Sequence, residues 1–350
     1  MLQYRNYSSG TFDFLDHITC ITGPNGSGKT NLLDAVYYLC YTKSYFSSFQ
    51  QHSVQNGMDG FRVIGIFNKN DNLENVSIKW KAGKKEIFAN DAEYEKLSDH
   101  IGRFSAVMIA PDDTEIINGG SELRRKWIDS ILGQVDKAYL EKLLRYQQIL
   151  LQRNAWLKMH SGQQIADFNE IEFYNAELTR DGAYIYQQRD LFLTDFMPIL
   201  EGFYKKLSGD NEQISVGYTS HLSQKPLKDW LEQSLPQDLR MQRTNKGIHK
   251  DDLDFKLNDM PLKQFGSQGQ KKSFLFALKL SQYTFLSKAL GHLPILLLDD
   301  IFEKLDQNRM DALLNIICSP DFGQVILTDT HQERIKFAFG NQKQVGYINL

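Results

Sequence analysis

Residues 23–30 read Gly-Pro-Asn-Gly-Ser-Gly-Lys-Thr and match every fixed position of the phosphate-binding-loop pattern G-x-x-x-x-G-K-[ST]. The apolar run at 17–22 predicts a buried strand before the loop, and residues 31–39 after it carry apolar side chains at helical spacing. A glycine-rich turn in this context points backbone N–H groups at an anion, and the helix dipole adds to the attraction. A turn that binds nothing is the less favoured interpretation, because the context is the one that the pattern requires.

Two side chains of the loop have predicted roles in binding a nucleoside triphosphate. Lys29 would reach the β- and γ-phosphates, and the hydroxyl of Thr30 would ligate Mg²⁺. The predicted nucleotide-binding residues of this segment are Gly23, Pro24, Asn25, Gly26, Ser27, Gly28, Lys29, Thr30 and Asn31.

The bulk composition is ordinary for a globular protein. The 350 residues exceed what one hydrophobic core usually supports, so about two domains are expected. The net charge of −3 argues neither for nor against a nucleic-acid partner, because a basic patch can exist locally. The three scattered cysteines are typical of buried apolar residues in a reducing compartment. With no signal-peptide pattern and no long apolar run, we expect a soluble cytoplasmic protein without a membrane partner.

Strand signals dominate the first part of the chain. Residues 1–16 predict strands of the sheet that holds the phosphate loop. Residues 61–67, 76–80 and 86–88, separated by turn-forming residues, predict an antiparallel meander. Residues 106–109 predict a further apolar strand.

Helical signals replace the strand signals between about 121 and 208. Ser121 is expected to cap a first helix and Asp136 a long second helix. After a break at 160–163, residues 167–207 predict another long helix, so the two long helices form an antiparallel hairpin. The predicted domains are a discontinuous α/β head, residues 1–118 and 210–350, and a helical arm, residues 119–209.

Two carboxylates end a predicted buried strand in the last third of the chain. Residues 294–300 read Pro-Ile-Leu-Leu-Leu-Asp-Asp, which predicts a buried parallel strand. Open α/β sheets bind ligands at this end of their strands. Asp299 would hold Mg²⁺ through water, and Asp300 is a candidate catalytic residue that orients or deprotonates the attacking water. The alternative is an acidic loop after a core strand, which the phosphate loop disfavours.

Three weaker signals accompany these carboxylates. Ser267, Gln268 and Gly269 precede a predicted helix and form a second anion-binding element, although such a turn is usually only a turn. Residues 303–306 read Glu-Lys-Leu-Asp. The strand predicted at 324–331 ends in His331, a second candidate catalytic residue that would contact a γ-phosphate, although a lone histidine is most often structural.

In this order the signals resemble those of an ATP-binding-cassette ATPase: phosphate loop, signature sequence, Walker B aspartate, D-loop and switch histidine. A helical hairpin that interrupts the cassette is typical of the branch containing the structural-maintenance-of-chromosomes proteins. Within that branch the chain resembles the RecF family of bacterial recombination mediators over nearly its whole length. The implied fold is α/β, a mixed sheet with an antiparallel β subdomain, interrupted by the helical arm. The segments that carry the resemblance are 5–7, 28–35, 111–113, 123–129, 249–253, 265–270 and 328–331.

The resemblance implies a mechanism with ATP and Mg²⁺ as cofactors. Two chains would pair head to tail across two ATP molecules, with Ser267 and Gly269 of one chain closing on the γ-phosphate held by Lys29 of the other. ATP would drive this homodimer to form around gapped or junction DNA, and weak, DNA-stimulated hydrolysis would reset it. The family works with RecR and RecO to help RecA load in repair and replication restart, and it has no nuclease or helicase activity.

The chain departs from the family pattern in four places. The family usually has several more residues before Arg5, which would make the present start a shortened one. Residues 247–250 read Gly-Ile-His-Lys, where the family commonly has Gly-Pro-His-Arg. Lysine lacks the two parallel N–H donors of the arginine guanidinium, so no phosphate contact is assigned to Lys250. Residues 43–46 lack the usual basic pattern, and Pro-Asp-Asp at 111–113 fills the Q-loop position without a glutamine.

The candidate DNA contacts are Arg124, Arg125, Lys126, Lys271 and Lys272.

Two other functions share the ATP chemistry. A nucleotide-binding subunit of a transporter is disfavoured by the long helical arm and by the Ser-Gln-Gly-Gln signature. A P-loop kinase would need neither Ser267 nor His331.

Overall fold

The computed structural model describes residues 1–14, 17–69, 71–162, 167–209, 212–301, 306–340 and 345–350. They form two compact units. The terminal unit comprises Met1–Asp113, Lys206–Ser208 and Lys272–Leu350, and the middle unit comprises Thr114–Lys205 and Gly209–Lys271. Residues 209–271 therefore group with the helices, whereas the sequence-based division assigns almost all of them to the head.

The terminal unit contains both strands and helices, and the middle unit is mainly helical. The strands are β1 (Leu2–Tyr4), β2 (Tyr7–Ser9), β3 (Ile18–Thr22), β4 (Gly60–Lys69), β5 (Asn72–Lys81), β6 (Lys84–Ala89), β7 (Ala92–Glu93), β8 (Ala106–Ile109), β9 (Ile214–Thr219), β10 (Asp252–Leu257), β11 (Met260–Pro261), β12 (Ile295–Leu298), β13 (Val325–Asp329) and β14 (Val345–Asn349). The helices are α1 (Lys29–Tyr41), α2 (Glu115–Asn118), α3 (Ser121–Val135), α4 (Lys137–Met159), α5 (Asn169–Ser208), α6 (Leu227–Met241), α7 (Leu262–Phe265), α8 (Gln268–Leu290), α9 (Gln307–Ile317) and α10 (Gln332–Phe339). Residues 15, 16 and 163, which fall in predicted segments, lie outside the described residues. Within the described ranges, no helix combines the length and the apolar character needed to cross a bilayer.

A parallel sheet with the strand order β14-β3-β13-β12-β8 forms one layer of the terminal unit. In its centre, Leu298 of β12 pairs with Leu327 of β13, and Asp329 of β13 pairs with Thr22 of β3. Strands β3, β8 and β13 are buried along their whole length, as their apolar runs predict. Because the strands are parallel, the carboxyl ends of β3, β12 and β13 lie at one edge of the sheet.

A second, antiparallel sheet has the order β2-β1-β4-β5-β6-β7, and the predicted meander is confirmed in β4 to β6. The prediction that the first residues join the sheet of the phosphate loop is wrong. Leu2 of β1 pairs with Ser9 of β2 and Arg62 of β4, so both strands belong to the antiparallel sheet. Only Tyr4 is buried in these two strands, and strands with one exposed face suit an antiparallel sheet.

Helix α1 is buried on nearly every side because it packs in one apolar cluster with residues of both sheets. Tyr38 of α1 stands edge-on to Tyr4 of β1 and to Phe61 of β4, with ring centroids 5.9 Å and 5.3 Å apart. The helix that follows the phosphate loop is therefore fixed by both sheets.

In the middle unit, the predicted helical hairpin is confirmed as α4 and α5. Asp136 caps α4 by accepting a hydrogen bond from the Tyr139 amide at 3.1 Å. The same carboxylate accepts a 2.7 Å bond from the hydroxyl of Tyr184 in α5, so the cap also joins the two helices. The predicted cap at Ser121 is wrong: Gly120 takes that position, and Ser121 is already the first helical residue of α3.

A buried ion network explains why residues 209–271 belong to the middle unit. The guanidinium of Arg189 in α5 lies 2.8 Å from a carboxylate oxygen of Asp129 in α3 and 2.9 Å from one of Asp251, just before β10. The hydroxyl of Tyr218 in β9 donates to Asp251 at 2.6 Å. One arginine thus joins α3, α5 and the β9–β10 pair.

Arg189→Leu should lower the free energy of unfolding by about 3–5 kcal/mol, because two largely buried carboxylates lose their counter-charge. Urea unfolding followed by circular dichroism measures the change. The matched control is Arg180→Leu, since Arg180 is exposed and pairs with Glu177 and with Asp181, and Asp181 keeps its second partner, Arg145; it should cost about 0–1 kcal/mol. Equal unfolding midpoints for the two variants would contradict the importance of the network.

Candidate nucleotide-binding site

The loop between β3 and α1 depends on glycine at its last position. Gly28 caps α1 with φ at +108°, and its carbonyl accepts the first helical bond from the Leu32 amide at 2.9 Å. A Cβ at position 28 would lie 2.6 Å from the Asn6 amide nitrogen and 2.9 Å from the Tyr7 hydroxyl. Both the backbone conformation and the close approach therefore require glycine.

The turn between β1 and β2 braces this loop. The Asn6 side-chain amide donates to the carbonyl of Ser27 at 3.2 Å, and the Tyr7 hydroxyl donates to the carbonyl of Gly28 at 3.2 Å. Asn31 at the start of α1 donates to the Asn6 side-chain oxygen at 2.8 Å. In the sequence, Arg-Asn-Tyr at 5–7 indicates only a family resemblance, and no local pattern reveals that these residues hold the phosphate loop.

Asp34 anchors the same turn to α1 and is fully buried. Its carboxylate accepts from the Tyr4 hydroxyl at 2.7 Å, the Ser44 hydroxyl at 3.1 Å and the Tyr45 amide at 2.8 Å. The Arg5 guanidinium lies 2.7 Å from it. This buried charge is thus paired and hydrogen-bonded, as a stable buried carboxylate must be.

Lys29 and Thr30 have the positions that the sequence predicts at the start of α1. The Lys29 ammonium donates to the carbonyls of Gly23 at 2.8 Å and Pro24 at 3.1 Å and is largely buried. A positive charge is therefore held against the loop, where its attraction for phosphate is little screened.

The two predicted metal ligands lie together. The Thr30 hydroxyl is 3.0 Å from both carboxylate oxygens of Asp299, and the Thr328 hydroxyl donates to one of them at 2.7 Å. Burial raises the pKa of Asp299, and hydrogen bonds from Thr328 and Thr30 partly oppose this rise. The Asp300 amide in turn donates to the Thr328 hydroxyl at 3.0 Å, so one short chain of bonds connects the loop, β12 and β13.

These residues fit Mg²⁺ by their donor chemistry. Thr30 and Asp299 supply a hydroxyl and a carboxylate, the oxygen ligands that Mg²⁺ takes in phosphate-loop proteins. Within the described residues, no group of three or more His, Cys, Asp or Glu side chains is arranged to hold a metal ion. A metal site whose ligands are all protein side chains of these types is therefore not found among them. The buried Ser27 hydroxyl has no hydrogen-bond partner among the described residues, which suits a phosphate oxygen in the loop.

His331 lies at the carboxyl end of β13, beside β12, and takes the N-cap position of α10. Its side chain is exposed, and Nδ1 lies 2.7 Å from the Thr330 hydroxyl and 3.4 Å from an Arg334 nitrogen. Its backbone amide donates to Asp329 at 2.6 Å. The ring is therefore held at the sheet edge that also carries Asp299.

The signature residues belong to the middle unit and begin α8. The Ser267 hydroxyl accepts from the Gln270 amide at 3.2 Å, and the Gln270 side chain accepts from the Ser267 amide at 2.7 Å. This reciprocal pair is a capping box, which Ser-x-x-Gln before an apolar run indicates in the sequence. Ser267 and Gln268 are exposed and Gly269 is half-buried.

The Q-loop position contains a buried ion pair instead of a glutamine. Asp113 accepts from the Ala110 amide at 2.8 Å and lies 3.1 Å from the ammonium of Lys279 in α8. The Tyr45 hydroxyl contacts the same carboxylate and accepts from Lys279 at 2.8 Å. The segment after β8, the segment after α1 and helix α8 therefore meet at one buried charge pair.

Four of the five candidate DNA contacts already have hydrogen-bond or ion-pair partners within the middle unit. Arg124 is buried and donates two bonds to the Asp252 carboxylate, at 2.7 and 3.0 Å, which removes it from the candidates. Arg125 donates to a backbone carbonyl, Lys126 pairs with Glu122, and Lys271 donates to a backbone carbonyl.

The D-loop assignment is only partly within the described residues. Residues 303–305 lie outside them, and Asp306 caps α9 by accepting from the Arg309 amide at 3.1 Å.

The sequence matches a known family over almost its full length. The model for the RecF/RecN/SMC N terminal domain covers residues 1–347. The DNA replication and repair protein RecF of Flavobacterium johnsoniae is 42% identical over 95% of this chain and 93% of that protein. The RecF of Cytophaga hutchinsonii is 38% identical over 97% of this chain and 90% of that protein.

Solved structures show the same relationship. The recombination mediator protein RecF with ATPrS, of the RecFOR pathway, superposes with a TM-score of 0.87 at 29% identity, covering 95% of this chain and 91% of that chain. The Smc head domain from Pyrococcus furiosus has a TM-score of 0.52 at 16% identity, covering 96% of this chain and 89% of that chain, which shows a shared fold. The chain therefore belongs to the RecF family and has the ABC-type ATPase fold of that family.

Proposed function

We propose that this protein is an ATP-dependent DNA-binding recombination mediator that dimerises on ATP at gapped or junction DNA. The observation that carries the proposal is the approach of the Thr30 hydroxyl to both oxygens of Asp299, because it joins the phosphate loop to the Walker B strand. Relatives that share about 40% of its residues are named DNA replication and repair proteins, and RecF has been solved with ATP. A chromosomal DNA substrate would place the protein in the cytoplasm.

The phosphate loop and its lysine bind the triphosphate in this proposal. Backbone N–H groups at the start of α1 would hold phosphate oxygens, and the Lys29 ammonium would supply a positive charge to the β- and γ-phosphates. Thr30 and Asp299 hold Mg²⁺, which when bound offsets phosphate charge. The brace of Asn6 and Tyr7 keeps the loop in shape while the ligand exchanges.

Hydrolysis depends on Asp300, which follows the Walker B aspartate. With φ at +46° it has a left-handed backbone conformation, and its amide is fixed to the Thr328 hydroxyl. We assign the carboxylate of Asp300 to orienting or deprotonating the attacking water. His331 contacts the γ-phosphate. The turnover is weak and stimulated by DNA.

The signature of a second chain completes the site. Ser267 and Gly269 lie at the N-terminus of a 23-residue helix, and an exposed helix N-terminus attracts phosphate oxygens. Two chains pair head to tail, so that each signature closes on the ATP bound by the other. RecR and RecO act with this dimer to load RecA, as the family resemblance implies.

Lys29→Ala should reduce ATP binding below detection, because the loop loses the positive charge that contacts the β- and γ-phosphates. Isothermal titration calorimetry with ATP and Mg²⁺ measures the affinity. The control is Lys336→Ala, which removes an exposed positive charge from the same unit and should bind ATP like the wild type. Unchanged affinity of Lys29→Ala would exclude this loop as the ATP site.

Asp300→Asn should bind ATP and accumulate as a dimer, because the water is no longer activated and ATP persists between the chains. Asparagine also tolerates the left-handed backbone at this position, so the local fold is kept. Sedimentation velocity with and without ATP, and with gapped duplex DNA added, measures the association.

The control for this experiment is the double variant Asp300→Asn/Ser267→Arg. A bulky cation at the signature should prevent closure and keep the protein monomeric, whereas Asp300→Asn alone dimerises. A monomer under all conditions for Asp300→Asn would contradict the head-to-tail dimer and leave ATP binding by Lys29 as a separate result.

A further inference from the structure

A compact cluster of cations surrounds Trp230 in the middle unit. The Lys225 ammonium lies 3.9 Å from the centroid of the indole ring, and the Lys246 ammonium lies 4.4 Å from it. Lys225 precedes α6 and Lys246 follows it, so two separate segments bring their charges to one ring. The ring is fixed in turn, because its N–H donates to the carbonyl of His221 at 2.8 Å.

These cations have no acidic partner among the described residues. No ion pair within 4 Å is found there for Lys225 or Lys246; the Lys225 ammonium contacts the side-chain oxygen of Gln233, and Lys246 lies 3.3 Å from the His221 ring. Lys228, only three residues from Lys225, does have an acidic partner, because it pairs with Glu232. Two ammonium groups on one ring repel each other, and an external anion would remove that repulsion.

Further cations extend the positive region. Burial lowers the pKa of Lys250, and the charges of Arg243 and Arg125 lower it further, whereas the charge of Asp238 opposes them. The pKa of His221 is lowered by burial and then by Lys246 and Lys250. Each of these groups therefore feels the positive charge of its neighbours, although the chain as a whole carries a net charge of −3.

The indole makes this cluster suitable for binding. An ammonium over an aromatic face is attracted by the ring quadrupole, which holds the flexible lysine stem in place. Less side-chain freedom is then lost when the ammonium contacts an anion. The two lysines are thus preorganised, unlike a typical exposed lysine.

We propose that Lys225 and Lys246, supported on Trp230, form a contact surface for the phosphodiester backbone of DNA. This inference rests on the proposed function, of which it names the binding surface. A phosphodiester backbone suits the cluster better than a single phosphate, because its repeated charges can engage the two ammonium groups on the indole ring at the same time. The contact carries no sequence information, since ammonium groups read charge and position only.

The test uses the full-length double variant Lys225→Ala/Lys246→Ala. Fluorescence anisotropy with a labelled gapped duplex, over a range of salt concentrations and with ATP present, measures affinity and its salt dependence. We expect binding to weaken about tenfold and the slope of log affinity against log salt to become shallower by roughly two, one for each lost phosphate contact. Lys225→Arg/Lys246→Arg should retain both values.

The matched control is Lys158→Ala/Lys228→Ala, which removes the same charge from exposed positions of the same unit and should keep the wild-type slope. ATP affinity and the unfolding midpoint report the integrity of each variant. The single variants, each expected to lose about one unit of slope, provide a second reading if the double variant is unstable.

The outcomes separate this inference from the function on which it rests. If the wild type binds the duplex and the double variant has the same slope, the inference is overturned and the proposed function stands. If the wild type does not bind the duplex at all, both are overturned. If inorganic phosphate competes for the cluster as well as an oligonucleotide does at equal phosphate concentration, a single-phosphate site replaces the DNA surface.

Discussion

The candidate site depends on one buried carboxylate, that of Asp299. Its oxygens accept from Thr30, 269 residues earlier in the chain, and from Thr328 on the neighbouring strand. A buried charge without such partners would be strongly destabilising. The same hydrogen bonds that make the charge tolerable also bring the phosphate loop to the edge of the parallel sheet. Stability and the assembly of the predicted metal ligands therefore have a common origin.

The antiparallel sheet gives the phosphate loop its second support. Through Asn6 and Tyr7 the β1–β2 turn holds the backbone of the loop, and through Asp34 it is tied to α1. A strand and a helix are enough to form a phosphate loop. Hydrogen bonds to the loop carbonyls, such as those from Asn6 and Tyr7, are needed in addition to make the loop rigid. The small sheet thus contributes to the nucleotide site without supplying a phosphate ligand.

Local patterns predict much of the structure. The phosphate loop, the buried strands, the meander and the long helices all follow from spacing and capping, and Asp136 caps the helix assigned to it. Pairings over long sequence separations do not follow, since no local period encodes them. Arg124 resembles a surface cation in sequence, yet its guanidinium is neutralised by Asp252, 128 residues away. The sequence does not predict the cluster around Trp230, because its cations come from segments on either side of α6.

The strand order of the parallel sheet determines when the protein can become active during synthesis. Strand β3, which leads into the phosphate loop, is flanked by β13 and β14 from the end of the chain. The middle unit, in contrast, has all of its residues by Lys271. On the ribosome, the middle unit can therefore mature first, whereas the nucleotide site must wait for the last strands. ATP affinity then depends on β13 and β14, and translation products that end before these strands should lack it.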